Sequence, residues 1–120
     1  MSNPIQSLAE FQSTFAPKPV KVEVHVPGTE ASVSVFLKPL TSAQRDKFEA
    51  SVVGVDGKRD LSNLRARLVS DCLVTETGKP VGDAKTIGEL SALLVGALFD
   101  EVRKLNGMDG EAAIEDAGKD

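Results

Sequence analysis

The sequence predicts an α+β fold: a mainly helical single domain with one N-terminal β-hairpin packed on about three helices, followed by a disordered acidic tail. Three observations carry this. Valine alternates with polar residues through 20–26 and the period returns in 32–38, which is the spacing of half-buried strands. Two amphipathic helical patterns, Leu61–Leu73 and Ile87–Asn106, follow and are joined by the turn segment Thr75–Gly82. Beyond Gly107 the tail places Asp109, Glu111, Glu115, Asp116 and Asp120 against Lys119 alone, so the whole net charge of −4 sits there and the body is formally neutral. The chain therefore divides into an amphipathic segment 1–16, a core domain 17–107 and a flexible tail 108–120.

The first element places Ile5, Leu8, Phe11 and Phe15 at spacings of three and four, with Ser2 or Asn3 as cap and Pro4 at the first helical position. Pro17 and Pro19 stop this helix. It is too short to be stable alone, so it either folds onto the core or serves as an arm that docks on a partner. In the hairpin, Val20, Val22, Val24 and Val26 face one way and Lys21, Glu23 and His25 the other. Val33, Val35 and Leu37 continue the apolar face across the loop Pro27–Ala31. A hairpin alone is marginal in water, so helices must cover its valine face. Phe36 breaks the alternation by falling on the polar face. A bulge or an overlying N-terminal helix would explain it, with a partner-binding aromatic as the alternative.

Thr41 and Gln44 form a capping box that opens a helix over Ala43–Val52, and Gly54–Asp60 reads as a polar loop. The next helix sets Leu61, Leu64, Leu68, Val69, Cys72 and Leu73 on one stripe, with Arg65, Arg67 and Asp71 outside. Gly78-Lys79-Pro80 marks a turn, the expected tip of a second, small hairpin. Thr86 and Glu89 form another capping box before the longest helix, whose stripe runs Ile87, Leu90, Leu94, Leu98, Val102 and Leu105, widened by Leu93 and Ala97. Arg103 and Lys104 suit its last turn, and Asn106-Gly107 ends it. The tail beyond offers little apolar surface against the cost of ordering it.

Composition narrows the function. A pI near 5.0, with no Trp or Tyr and five Phe, argues against nucleic-acid binding, which leans on basic grooves and aromatic platforms. The most apolar window, Leu90–Phe99, is broken by Ser91 and Gly96 and falls short of the roughly 20 apolar residues of a membrane span. The N-terminal Met-Ser-Asn-Pro lacks the features of a secretory signal, and a single cysteine suits a reducing cytoplasm. One histidine and one cysteine cannot assemble a Ser-His-Asp relay or a His-based metal site. The run Gly54…Gly57-Lys58-Arg59 lacks the spacing and the hydroxyl of a phosphate loop. Asp100-Glu101 and Glu115-Asp116 are adjacent and do not share a helix face. Lys58, Arg59, Arg65 and Arg67 form a modest basic cluster, read as solvated surface. No catalytic, cofactor-binding or metal-binding residue is expected, and a non-enzymatic binding protein is. Its partner-binding candidates are Ile5, Leu8, Phe11, Phe15 and Phe36.

The segments LKPLTSAQRDKFEA, LRARLVSDCLVTETGKPV and GELSALLVGALFDEVRKLNG, following a β-hairpin in that order, resemble the tail assembly chaperones of long-tailed bacteriophages over roughly residues 17–107. The resemblance implies a protein of the host bacterial cytoplasm, absent from the mature virion, that keeps the tape measure protein soluble during tail morphogenesis. Tail tube subunits and a second copy of this chain are further candidate partners; nucleic acid and membrane are not. The rival expectation is a structural tail or head–tail connector component of the virion.

Overall fold

The computed structural model describes residues 4–53 and 61–108. The polar loop expected at Gly54–Asp60, with Lys58 and Arg59, lies outside the described residues, as do the caps expected at Ser2 or Asn3 and the acidic segment 109–120. The described chain is α+β, with helix α1 (Leu8–Phe15), strands β1 (Val20–His25) and β2 (Ser32–Leu37), helices α2 (Ser42–Val53) and α3 (Leu64–Cys72), strand β3 (Leu73–Val74), and helices α4 (Ala84–Gly88) and α5 (Ala92–Leu105).

The hairpin forms in the expected place. Val20 pairs with Leu37, Val22 with Val35 and Val24 with Val33, without a bulge. Its loop is tied by Val26 and Ala31 and by the Thr29 hydroxyl, which donates to the Val26 carbonyl at 2.8 Å. Gly28 turns the chain at φ +79°, where an L side chain is strained. The valine face is covered unevenly: Val24 and Leu37 are buried, whereas Val20 and Val33 remain exposed. β3 then adds a third strand, antiparallel to β2, in the order β1-β2-β3. It begins directly where α3 ends, and it pairs with β2 at Phe36. That ring is half-buried, with Lys21 on one side in register and the buried Val74 on the other. The register runs without a bulge, and the third strand places a neighbour on each side of Phe36. Val74 also bridges Pro80 across the Gly78 turn (φ +89°), which completes the small second hairpin.

The Thr41 capping box is formed in both directions: the Gln44 amide donates to the Thr41 hydroxyl at 3.1 Å, and the Thr41 amide to the Gln44 side-chain oxygen at 2.9 Å. α2 buries Phe48 and Val52; α3 buries Ala66, Leu68, Val69 and Cys72. α3 starts three residues later than the stripe suggested. Asn63 precedes it in the left-handed conformation (φ +53°) and spends its side chain on the Ala84 carbonyl of α4. Leu61 is thereby left outside the helix and exposed. Gly88 lies opposite, and a Cβ there would come within 2.6 Å of the Asn63 side-chain oxygen, so a larger residue would require that carboxamide to move.

The long helix expected over Ile87–Asn106 is two helices. Asp83, rather than Thr86, caps the first, its carboxylate accepting from the Thr86 amide at 2.9 Å. The chain turns through Glu89–Ser91 before α5 begins. This break changes the helical phase, and the expected stripe holds at Ile87, Leu94, Ala97, Leu98, Val102 and Leu105 but fails at Leu90 and Leu93. Val95, Leu98, Phe99 and Val102 are buried on α5, Leu94, Ala97 and Leu105 are partly covered, and Leu90 and Leu93 face solvent. The end of α5 is as expected and goes further. Gly107 (φ +70°) donates to Lys104, and Met108 donates to Arg103 at 2.7 Å, the paired bonds of a Schellman motif. That turn folds Met108 into the core at 5 % exposure, so the core extends one residue beyond Gly107.

One side chain ties the ends of the domain together. Asn106 accepts the Leu40 amide at 2.8 Å, donates to the Val102 carbonyl at 2.9 Å and reaches the Cys72 sulfur at 3.7 Å. The Arg45 guanidinium donates to the Asn106 carbonyl at 3.4 Å. α2, α3 and the C-terminus of α5 are thus joined at a single residue.

Candidate protein-binding surfaces

Among the described residues, two groups of exposed apolar side chains line a cleft or groove. The first is α1. Ser7 caps it, accepting the Glu10 amide at 3.2 Å, and the helix buries none of its residues. Leu8, Phe11 and Phe15 are 73 %, 50 % and 69 % exposed, and the two rings stand 6.4 Å apart on one side of the helix. Ile5, just before the cap, is half-buried. Phe11, Gln12, Phe15, Ala16 and Pro17 line a shallow cleft there. Four of the five residues singled out in the sequence therefore belong to one short segment. The fifth, Phe36, lies in the sheet and lines neither this cleft nor the groove described next.

The second surface is a groove of about 610 Å³ between the start of α3 and the α4–α5 pair. Leu61, Leu64, Leu90, Val95 and Phe99 give it an apolar lining, and Arg65, Asp100 and Arg103 are also part of its wall. Both arginines stack on the same ring: the guanidinium carbon lies 5.8 Å from the Phe99 centroid for Arg65 and 5.2 Å for Arg103. Such contacts hold a cation over the negative face of an aromatic ring. Arg103 also pairs with Asp100 at 2.8 Å.

The sequence pattern misplaced two parts of this groove. Helical spacing puts Leu61 and Leu90 on buried stripes; the turns that precede α3 and α5 rotate them outward. Phe99 lies off the expected stripe, yet it stands four residues after Val95 and next to Leu98, a spacing that fits the true phase of α5. The expected basic cluster also separates. Arg65 lies over Phe99, whereas Arg67 is half-buried and donates to the Ser51 hydroxyl of α2 at 2.9 Å. Two residues apart on a helix, they point to different sides.

Cys72, Asp71 and Asp83 depart from their ordinary titration ranges. Burial pushes the Cys72 thiol up to about 11, with Asp71 adding to the rise and the Asn106 hydrogen bond opposing it. A buried thiol held protonated at neutral pH is a poor nucleophile. Desolvation also raises Asp71, opposed by Lys47. Hydrogen bonds from Thr86 hold the Asp83 carboxyl below the usual range. His25 stands exposed on β1.

Compared with family models, characterised proteins and solved structures, the chain matches none. Among the described residues no helix is long and apolar enough to cross a membrane.

Proposed function

We propose that this chain is a tail assembly chaperone of a long-tailed phage. In this reading it binds the tape measure protein and keeps it soluble in the host bacterial cytoplasm, without an enzymatic step, and leaves before the virion is complete. The observation that carries the reading is α1, a helix with Leu8, Phe11 and Phe15 all exposed on a domain whose core is closed without them. A long amphipathic helical client needs its apolar stripes shielded, and an exposed amphipathic helix is suited to that work. The ordered motifs of residues 17–107 supply the client's identity through their resemblance to the chaperone family.

Co-expression tests it. The tape measure protein of the same phage should be soluble with this chain and aggregate without it, and the double variant Leu8→Ser/Phe11→Ser should lose client capture. Mass spectrometry of purified particles separates the rival reading: a stoichiometric copy number in the virion would make the chain a structural tail component.

A further inference from the structure

The two uncovered surfaces fit each other. α1 presents Leu8, Phe11 and Phe15 at i, i+3 and i+7, the anchor spacing of a helix that lies in a groove. The groove is lined by Leu61, Leu64, Leu90, Val95 and Phe99. Phe11 and Phe15 are the only phenylalanines of the chain that are exposed, since Phe36 is half-buried and Phe48 and Phe99 lie in the core. The Arg65 and Arg103 guanidiniums cover Phe99. A guanidinium plane has two faces, and the face away from Phe99 can take an incoming ring. Glu10, the only charge on α1, lies away from the apolar stripe, so seating the helix strands no carboxylate in the groove.

We propose that α1 of one copy of this chain docks in the α3/α4–α5 groove of a second copy, so that two copies exchange N-terminal arms. The linker favours exchange over folding back. Ala16-Pro17-Lys18-Pro19 contains two prolines, which hold it extended and stiff, and Ala16 itself is extended at ψ 135°. Within its own chain α1 buries nothing. The area is adequate but not large: with Leu8, Phe11 and Phe15 at 73 %, 50 % and 69 % exposure, reciprocal exchange of two arms into two grooves covers on the order of 1,000–1,500 Å² in all, the lower part of the size class of a specific dimer. The acidic segment 109–120 is the weaker occupant, because Ile114 is its one large apolar side chain. This proposal does not depend on the client's identity. It gives the apolar surface of a free chain a cover of its own.

Sedimentation of the full chain is the test, with two variants. Leu8→Ser/Phe11→Ser/Phe15→Ser removes the arm, and Leu90→Glu alters the exposed edge of the groove. Wild type should sediment as a concentration-dependent dimer, and each variant as a monomer with a native circular dichroism spectrum. Mixed in equal amounts, the two should recover a heterodimer, because one intact arm and one intact groove remain, with Kd raised at least tenfold over wild type. Leu93→Glu, exposed on α5 but not part of the groove lining, should dimerise normally; this separates the groove from a general effect of added charge. A wild type that stays monomeric at several hundred micromolar overturns the proposal. So does a dimer that survives loss of the arm, or one abolished instead by deleting residues 109–120.

Discussion

α1 and α5 are nearly equal in amphipathic patterning, yet α5 buries Val95, Leu98, Phe99 and Val102 and α1 buries nothing. Periodicity identifies which face of a helix is apolar. It does not identify what covers that face. α5 is covered because α3 and β1 lie against it and because the Schellman turn brings Met108 back onto the core. α1 stands at the end of a proline-stiffened linker, eight residues long and without such neighbours. A short helix with no tertiary partner draws little stability from propensity alone. Its persistence here depends on the Ser7 cap and on whatever its apolar face meets.

The largest expected effect breaks the comparison directly. Leu68→Asp places an unpaired carboxylate at a fully buried site, costing several kcal/mol against a total stability of roughly 5–15, and should abolish cooperative unfolding. Leu8→Asp, measured in dilute solution, should change stability by no more than about 0.5 kcal/mol. If both unfold the chain, α1 is core. The same logic fixes the phase of α5: Val95→Asp should be far more damaging than Leu93→Asp, with Leu94→Asp between them, because Leu94 is only partly covered.

Next in size is an alkaline loss. The Cys72 thiol titrates near 9 when unfolded and at about 11 in the fold. Above pH 9 the unfolded chain therefore sheds this proton first, and stability falls by about 2–3 kcal/mol as pH rises towards 11. Urea melts between pH 8 and 11 should show this fall, and Cys72→Ala should flatten it. A wild-type slope no steeper than that of the variant would mean that the thiol is solvated. Asn106→Ala should follow, costing about 1–3 kcal/mol by stranding the Leu40 amide and cutting the side-chain contact from the end of α5 to Cys72 of α3.

The smallest effects sharpen the contrast between the two caps. Asp83→Ala should lower the melting temperature slightly, because α4 packs on α3. The Asp83 contribution is present above the usual aspartate range and is lost as pH falls through its depressed folded value, so the difference from wild type should vanish in acid. Ser7→Ala should reduce helical signal without moving the melting temperature, since α1 carries no part of the core.

Where one local signal sufficed, the sequence determined the structure by itself. Strict valine alternation specified β1 and β2 to within a residue, because a period of two admits one pleated arrangement with one face buried. Thr41 with Gln44 set the start of α2, and Gly107 the end of α5, because a cap is a bond between near neighbours. Tertiary structure alone decided the rest. Leu73 reads as the end of a helix, and with Val74 it forms a strand because the edge of β2 offers Leu37 and Phe36 as partners. Leu61 and Leu90 fit buried stripes only while their helices were drawn continuous. Turns stabilised by distant contacts, such as that of Asn63 with Ala84, rotated them onto the surface and opened the groove. Periodicity is a property of one element. Burial is a property of two, and its outcome rests on long-range contacts that no local pattern records.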